Sequence, residues 1–200
     1  MSEKVIRSID PDEEAALLDS IDKWIEREVR PVVMHHDHND IWPAHLVEQM
    51  KEMGLFGATI SQEYGGLGLP ATTYAKIISR ISSYWMALTG IVNSHLIMAA
   101  AVERFGTPEQ KEEWLPRFAS GKIRGGLALT EPDAGTDLQG IRTTAVRDGD
   151  DYVINGTKTW ITNGIEGSCF ALLVKTDPNA EPRYKGMSFF IAPKGPGFTV

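Results

Sequence analysis

The sequence predicts an α+β protein, with an N-terminal all-helical domain over residues 1–121 followed by a small antiparallel β domain over 122–200. Apolar residues recur at helical spacing through the first part, and beyond Gly121 the pattern turns to alternation. Asp148-Gly149, Asn155-Gly156 and Asn163-Gly164 punctuate the second part as hairpin-type turns. At 22.1 kDa, 42% hydrophobic and 24% charged, the chain has the composition of a globular protein able to bury a core.

Asp10, Pro11 and Glu13 form an N-cap, a first-turn proline and an N3 acid, and Leu17, Leu18, Ile21, Trp24, Ile25 and Val29 then repeat up to Pro31. A second helix is expected from Pro43 through "AHLVEQMKEM" to Gly54, a C′ glycine. After the loop "SQEYGGLGLP", residues 72–104 carry apolar residues on more than one face (Ile77, Ile81, Trp85, Leu88, Ile91, Leu96 among them) and read as a central helix pair. "FGTPEQKEEWLPRF" carries the clearest start signal: Thr107 as cap, Pro108 at N1 and Gln110 at N3. In the second part "FALLVKT" and "GMSFFIAP" are further strands. No internal repeat or low-complexity segment interrupts either part.

A net charge of −7 and a pI near 5.2, with no basic run, exclude nucleic acid and anionic membrane as partners. The single cysteine, Cys169, cannot form an intramolecular disulfide and reads as a buried structural thiol in "SCFALLV". The start "MSEKVIRSIDPDEEAALLDS" is acidic and lacks an apolar segment, which argues against a secretory or transit signal. "IVNSHLIMAAAV" is too short for a membrane span and is broken by Asn93, Ser94 and His95. A soluble, cytoplasmic protein is expected.

"HHDH", His35–His38, invites a metal site, but adjacent imidazoles on a helix end point in different directions and read as a solvated terminus. "YGGLGL" matches no phosphate-binding glycine pattern and reads as a tight turn between helices. His95, inside an apolar helix, reads as a satisfied core histidine. "LALTEPDAGTDLQG", Leu127–Gly140, is harder to set aside. Thr130, Pro132, Gly135 and Asp137 would make a capped turn. That accounts for each residue but not for "TKTWITNG", Thr157–Gly164. Two donor-rich turns beside a tryptophan suit a planar, polar heterocycle.

"LTEPDAGTD" resembles the first signature of the acyl-CoA dehydrogenase family of flavoproteins, LTEPxAGSD, and "NGTKTWITNG" resembles its NGxKxWITNG segment. "EYGGLGL" and "FGTPEQKEEWLP" are similar to the family's helical half, so the resemblance covers nearly the whole chain. It implies FAD as cofactor and α,β-desaturation of an acyl-CoA, with the α-proton taken by a carboxylate and the β-hydride by flavin N5. It also implies a role in fatty acid or amino acid catabolism, an electron-transferring flavoprotein as acceptor, and a homotetramer built as a dimer of dimers. By the same resemblance Leu127, Leu129, Thr130, Gly135 and Thr136 lie along the isoalloxazine. Leu129 and Thr130 serve its pyrimidine side, and Gly135 and Thr136 let the backbone approach. Trp160 packs beside the rings with Ile161 next to it, and Thr162 reaches toward N5. Thr136, where the family has serine, also contacts the acyl-CoA.

Members acting on glutaryl-CoA carry an arginine just after a tyrosine; this chain has Trp85 after Tyr84, which implies an apolar or aromatic acyl end. The family's C-terminal helical bundle is missing from the chain, which stops at "KGPGFTV". The general base, a glutamate, is therefore expected beyond Val200, in a longer enzyme of which this is a piece. An oxidase or flavin monooxygenase on the same fold, or a non-catalytic acyl-CoA-binding subunit of a hetero-oligomer, are the alternative readings.

Overall fold

The computed structural model describes residues 8–200, so the start of the expected signal-free segment lies outside the described residues. The chain divides into two compact units, one ending at Lys122 and one running from Ile123 to Val200.

In the first unit α1 spans Pro11–Trp24. It starts where Asp10 Oδ1 accepts the amides of Asp12 and Glu13 at 2.9 and 3.3 Å, with three acids in its first turn facing the positive end of the helix dipole. It runs on as one wider π-turn, Ile25–Val29, that keeps both Ile25 and Val29 buried. α2 is short, Val33–His38, and α3 spans Ala44–Glu52, with Pro43 as its cap and Gly54 at φ 73° just beyond its end. α4, Ala71–Ser82, buries Thr73, Ile77 and Ile81 at four-residue spacing. α6, Pro108–Ala119, opens with the expected capping box between Thr107 and Gln110.

α5, Met86–Phe105, corrects the sequence reading of its length. At 20 residues it is long and apolar enough to cross a membrane, yet about half of it is buried within the protein and it serves as the core helix. His95 sits at its centre, fully buried between the rings of Phe56 and Phe118, with Nε2 3.1 Å from the Phe118 carbonyl. The turn between α3 and α4 depends on Gly66, where a Cβ would lie 2.1 Å from the Ile60 carbonyl oxygen.

The second unit holds β1 (Gly125–Ala128), β2 (Thr144–Asp148), β3 (Asp151–Asn155), β4 (Cys169–Lys175) and β5 (Met187–Pro193). The sheet is mixed rather than antiparallel. β4 runs antiparallel to β5 along its whole length, but β1 pairs with it in parallel from Gly125↔Cys169 to Ala128↔Leu172, and β2 joins it in parallel at Thr144↔Lys175. β4 is accordingly buried on both faces, with Cys169, Phe170, Ala171, Leu173 and Val174 all buried. Burial pushes the Cys169 thiol up to about 12, which makes it inert.

Of the three turns read as hairpins, one is a hairpin: Asp148 pairs with Asp151 around Gly149 at φ 62°. Asn155-Gly156 instead ends β3, and Asn163-Gly164 lies in a run of turns before β4. "TKTWITNG" is therefore irregular backbone and not strand.

Candidate functional site

β1 ends at Ala128, and the chain turns through residues 129–141 over a small apolar cluster of Ala134, Ile141 and Leu173, against which Leu129, Leu138 and Met187 pack. The polar residues of this turn are thus held from beneath by its own apolar ones. After β3, Gly156 lets the chain pass close to Thr143: a Cβ there would sit 2.3 Å from the Thr143 hydroxyl. This approach carries residues 157–160 onto the first turn.

The two segments are then joined by three bonds. The Thr159 amide donates to the Thr130 carbonyl at 2.9 Å. The Lys158 ammonium donates to the Leu129 carbonyl at 2.9 Å and to Glu131 Oε1 at 2.8 Å. The Glu131 and Lys158 side chains are only 6% and 9% exposed, so this is a buried ion pair. Glu131 also accepts from the amides of Arg142 and Thr143, at 2.5 and 3.0 Å, and from the Thr143 hydroxyl at 2.5 Å. Burial by itself would raise the Glu131 carboxyl. The hydrogen bonds from Lys158, Thr143 and the two amides outweigh it and hold the group at about 2. Burial pushes the Lys158 ammonium down, with Glu131 opposing the shift.

The folded carboxyl therefore lies below its ordinary 4.5, so the stability it contributes is complete above that value and is lost as pH falls through the folded value near 2. The shift corresponds to about 3 kcal/mol at 1.36 kcal/mol per unit. Urea unfolding of wild type between pH 5 and 2 should show that loss, and Glu131→Gln should flatten it; equal slopes in the two proteins would contradict the assignment.

The residues expected at the site fall as follows. Leu127 is half-buried in β1 opposite Ala171. Leu129 and Thr130 are half-buried, their carbonyls taken by Lys158 and Thr159. Among the described residues no acceptor takes the amide of either Leu129 or Thr130. Gly135 is exposed beside Thr130, whose methyl is the nearest group to a hypothetical Cβ, at 3.9 Å; Thr136 next to it is exposed as well. Trp160 is 91% exposed at φ 57°, a left-handed conformation that costs a bulky residue about 1–2 kcal/mol. Ile161 is half-buried and accepts from the Gly164 amide at 2.8 Å, and Thr162 is exposed. Asn163, also left-handed at φ 65°, ties this turn to β1 by donating from Nδ2 to the Gly125 carbonyl at 2.8 Å.

The structure therefore brings Thr130, Gly135 and the Thr159-Trp160 step together. An exposed aromatic ring on strained backbone, an exposed glycine and two amides that meet no acceptor among the described residues fit a planar heterocycle with polar edges. Glu131 and Lys158, which join the segments, stand inside the two motifs quoted from sequence but were given no role there.

The N-terminal domain of acyl-CoA dehydrogenase matches residues 11–122, and its middle domain matches residues 126–200. The chain belongs to the acyl-CoA dehydrogenase family. FAD is the family's cofactor. The chain is 38% identical to the acryloyl-CoA reductase (NADH) of Anaerotignum propionicum, over 89% of this chain and 45% of the relative. It is 35% identical to the human mitochondrial short-chain specific acyl-CoA dehydrogenase, over 95% of this chain and 46% of that one. A glutaryl-CoA dehydrogenase from Mycobacterium smegmatis in complex with FADH2 superimposes with a TM-score of 0.84 at 31% identity, covering 96% of this chain and 48% of that one. The chain thus spans less than half the length of each of the three.

In the helical unit, Trp85, from which an apolar or aromatic acyl end was expected, is buried and donates from Nε1 to Asp37 at 3.0 Å. The rings of His35 and His36 stand edge to face, and among the described residues no group of three or more His, Cys, Asp or Glu is placed to hold a metal.

Proposed function

We propose that this chain forms the flavin- and thioester-holding part of an FAD-dependent acyl-CoA dehydrogenase that desaturates the Cα–Cβ bond of an acyl-CoA. The observation that carries the proposal is the junction at Thr130 and Thr159, which sets the strained, exposed Trp160 beside two open amides. When bound, FAD supplies the acceptor for the β-hydride. Thr130 and Leu129 orient its pyrimidine edge through their N–H groups, which meet no acceptor among the described residues and are donors preorganised for negative charge. Trp160 covers the rings and excludes water, Gly135 leaves room for the backbone approach, and Leu127 and Ile161 supply apolar contact. The Thr136 hydroxyl holds the thioester, and the Thr162 hydroxyl donates beside the reacting edge.

A carboxylate must take the α-proton, and we place it on a glutamate in the part of the relatives' length that this chain does not span. An electron-transferring flavoprotein as acceptor, a homotetramer and a cytoplasmic setting complete the proposal. The short-chain specific and acryloyl-CoA relatives support a short acyl group. The second of these also favours a related reading, in which the same residues serve reduction of an enoyl-CoA.

In a protein that also carries that carboxylate, anaerobic addition of a short acyl-CoA should bleach the bound flavin. Thr162→Val should slow that bleaching at least tenfold while leaving flavin content unchanged, because it removes a donor and keeps the shape. Equal loss of both would show Thr162 to be structural.

A further inference from the structure

Lys158 makes one contact that its ion pair does not require. Besides Glu131, its ammonium donates to the Leu129 carbonyl at 2.9 Å. That carbonyl belongs to the same peptide group as the Thr130 N–H, which takes no acceptor among the described residues. A charge-assisted bond on the oxygen of a peptide draws electron density from its nitrogen and strengthens the N–H as a donor. The Lys158 side chain is 9% exposed, so water screens this little. The partner carboxylate offsets part of that charge, but it makes no bond to this peptide: its remaining bonds go to Arg142 and Thr143.

We infer that Lys158 is a positioning residue that acts through the Leu129–Thr130 peptide, sharpening the Thr130 N–H as a donor to the cofactor and so making the bound flavin easier to reduce. The inference rests on the flavin reading of the site and adds to it a residue that touches neither cofactor nor substrate. Lys158 holds the peptide plane in place and sets its polarity, and Glu131 keeps the ammonium charged in a buried setting.

The test is the midpoint potential of the flavin-loaded protein in wild type, Lys158→Arg and the charge-free pair Glu131→Gln/Lys158→Met, which avoids leaving a buried charge alone. Removing the ammonium should shift the two-electron equilibrium against reduced flavin about tenfold, roughly 30 mV. Lys158→Arg should recover most of the shift. A charge-free pair that binds flavin with an unchanged potential would overturn the inference, because a merely structural role would alter stability and leave the potential alone. The amide signal of Thr130 in the cofactor-free protein supplies the second measurement. It should move upfield in the charge-free pair, and an unmoved signal would also overturn the inference. Failure of wild type to bind flavin would remove the functional reading alone, with the amide signal still deciding whether Lys158 polarises the peptide.

Discussion

Replacing Lys158 by methionine should cost the β unit about 3–5 kcal/mol, the range for breaking a buried ion pair from one side. The cost comes less from the lost bond than from what remains. Glu131, 6% exposed and held near 2 by its donors, would stay charged in a site without its counter-ion. The Leu129 carbonyl would lose its donor at the same time. Adding Glu131→Gln to the same chain should return more than half of the loss, since replacement of both charges is often near neutral. Urea unfolding of the two single variants and the double variant measures the coupling directly. Additive losses would show that the pair does not act as a unit and that the two segments are held by other contacts.

Trp160→Gly should separate binding from folding. The ring is 91% exposed, so its removal forfeits almost no burial, and glycine adopts φ 57° without the penalty tryptophan bears. The melting temperature should therefore stay the same or rise slightly. FAD affinity should fall roughly tenfold to hundredfold, the value of an aromatic stacking contact of about 1–3 kcal/mol. A large loss of stability would mean that the ring packs in the folded protein and that its backbone strain has a structural origin. An unchanged affinity would mean that Trp160 does not face the flavin.

What could be read from sequence was local. The α1 and α6 caps rest on side chains that bond their own backbone, the helix pair around α5 on apolar spacing, and the Asp148–Asp151 hairpin on a glycine at the turn. The parallel pairing of β1 with β4 has no such signal. "GGLA" is too short and too rich in glycine to show a period, and its partner strand follows only after the hairpin. Asn163 illustrates a second limit. Asn-Gly reads as a hairpin turn, yet here the left-handed asparagine donates its side chain back to Gly125 and closes the turn before β4.

At the site, the hydroxyls, glycine and tryptophan could be picked out because their types are unusual in a turn. Glu131 and Lys158 lie inside the two motifs, yet nothing local in the sequence pairs them. Their role depends on a closure over 27 residues that Gly156 and Thr143 make possible. A lysine aligned with a carbonyl and an acid at once is visible only in the folded chain.

The central claim is that the two segments form one flavin-holding site, and visible circular dichroism on titrating FAD into the protein tests it most directly. An isoalloxazine held in an asymmetric site should acquire a visible signal that saturates with wild type and is lost in Trp160→Gly at unchanged stability. A protein that induces no signal, or one whose signal survives that substitution intact, would contradict the account.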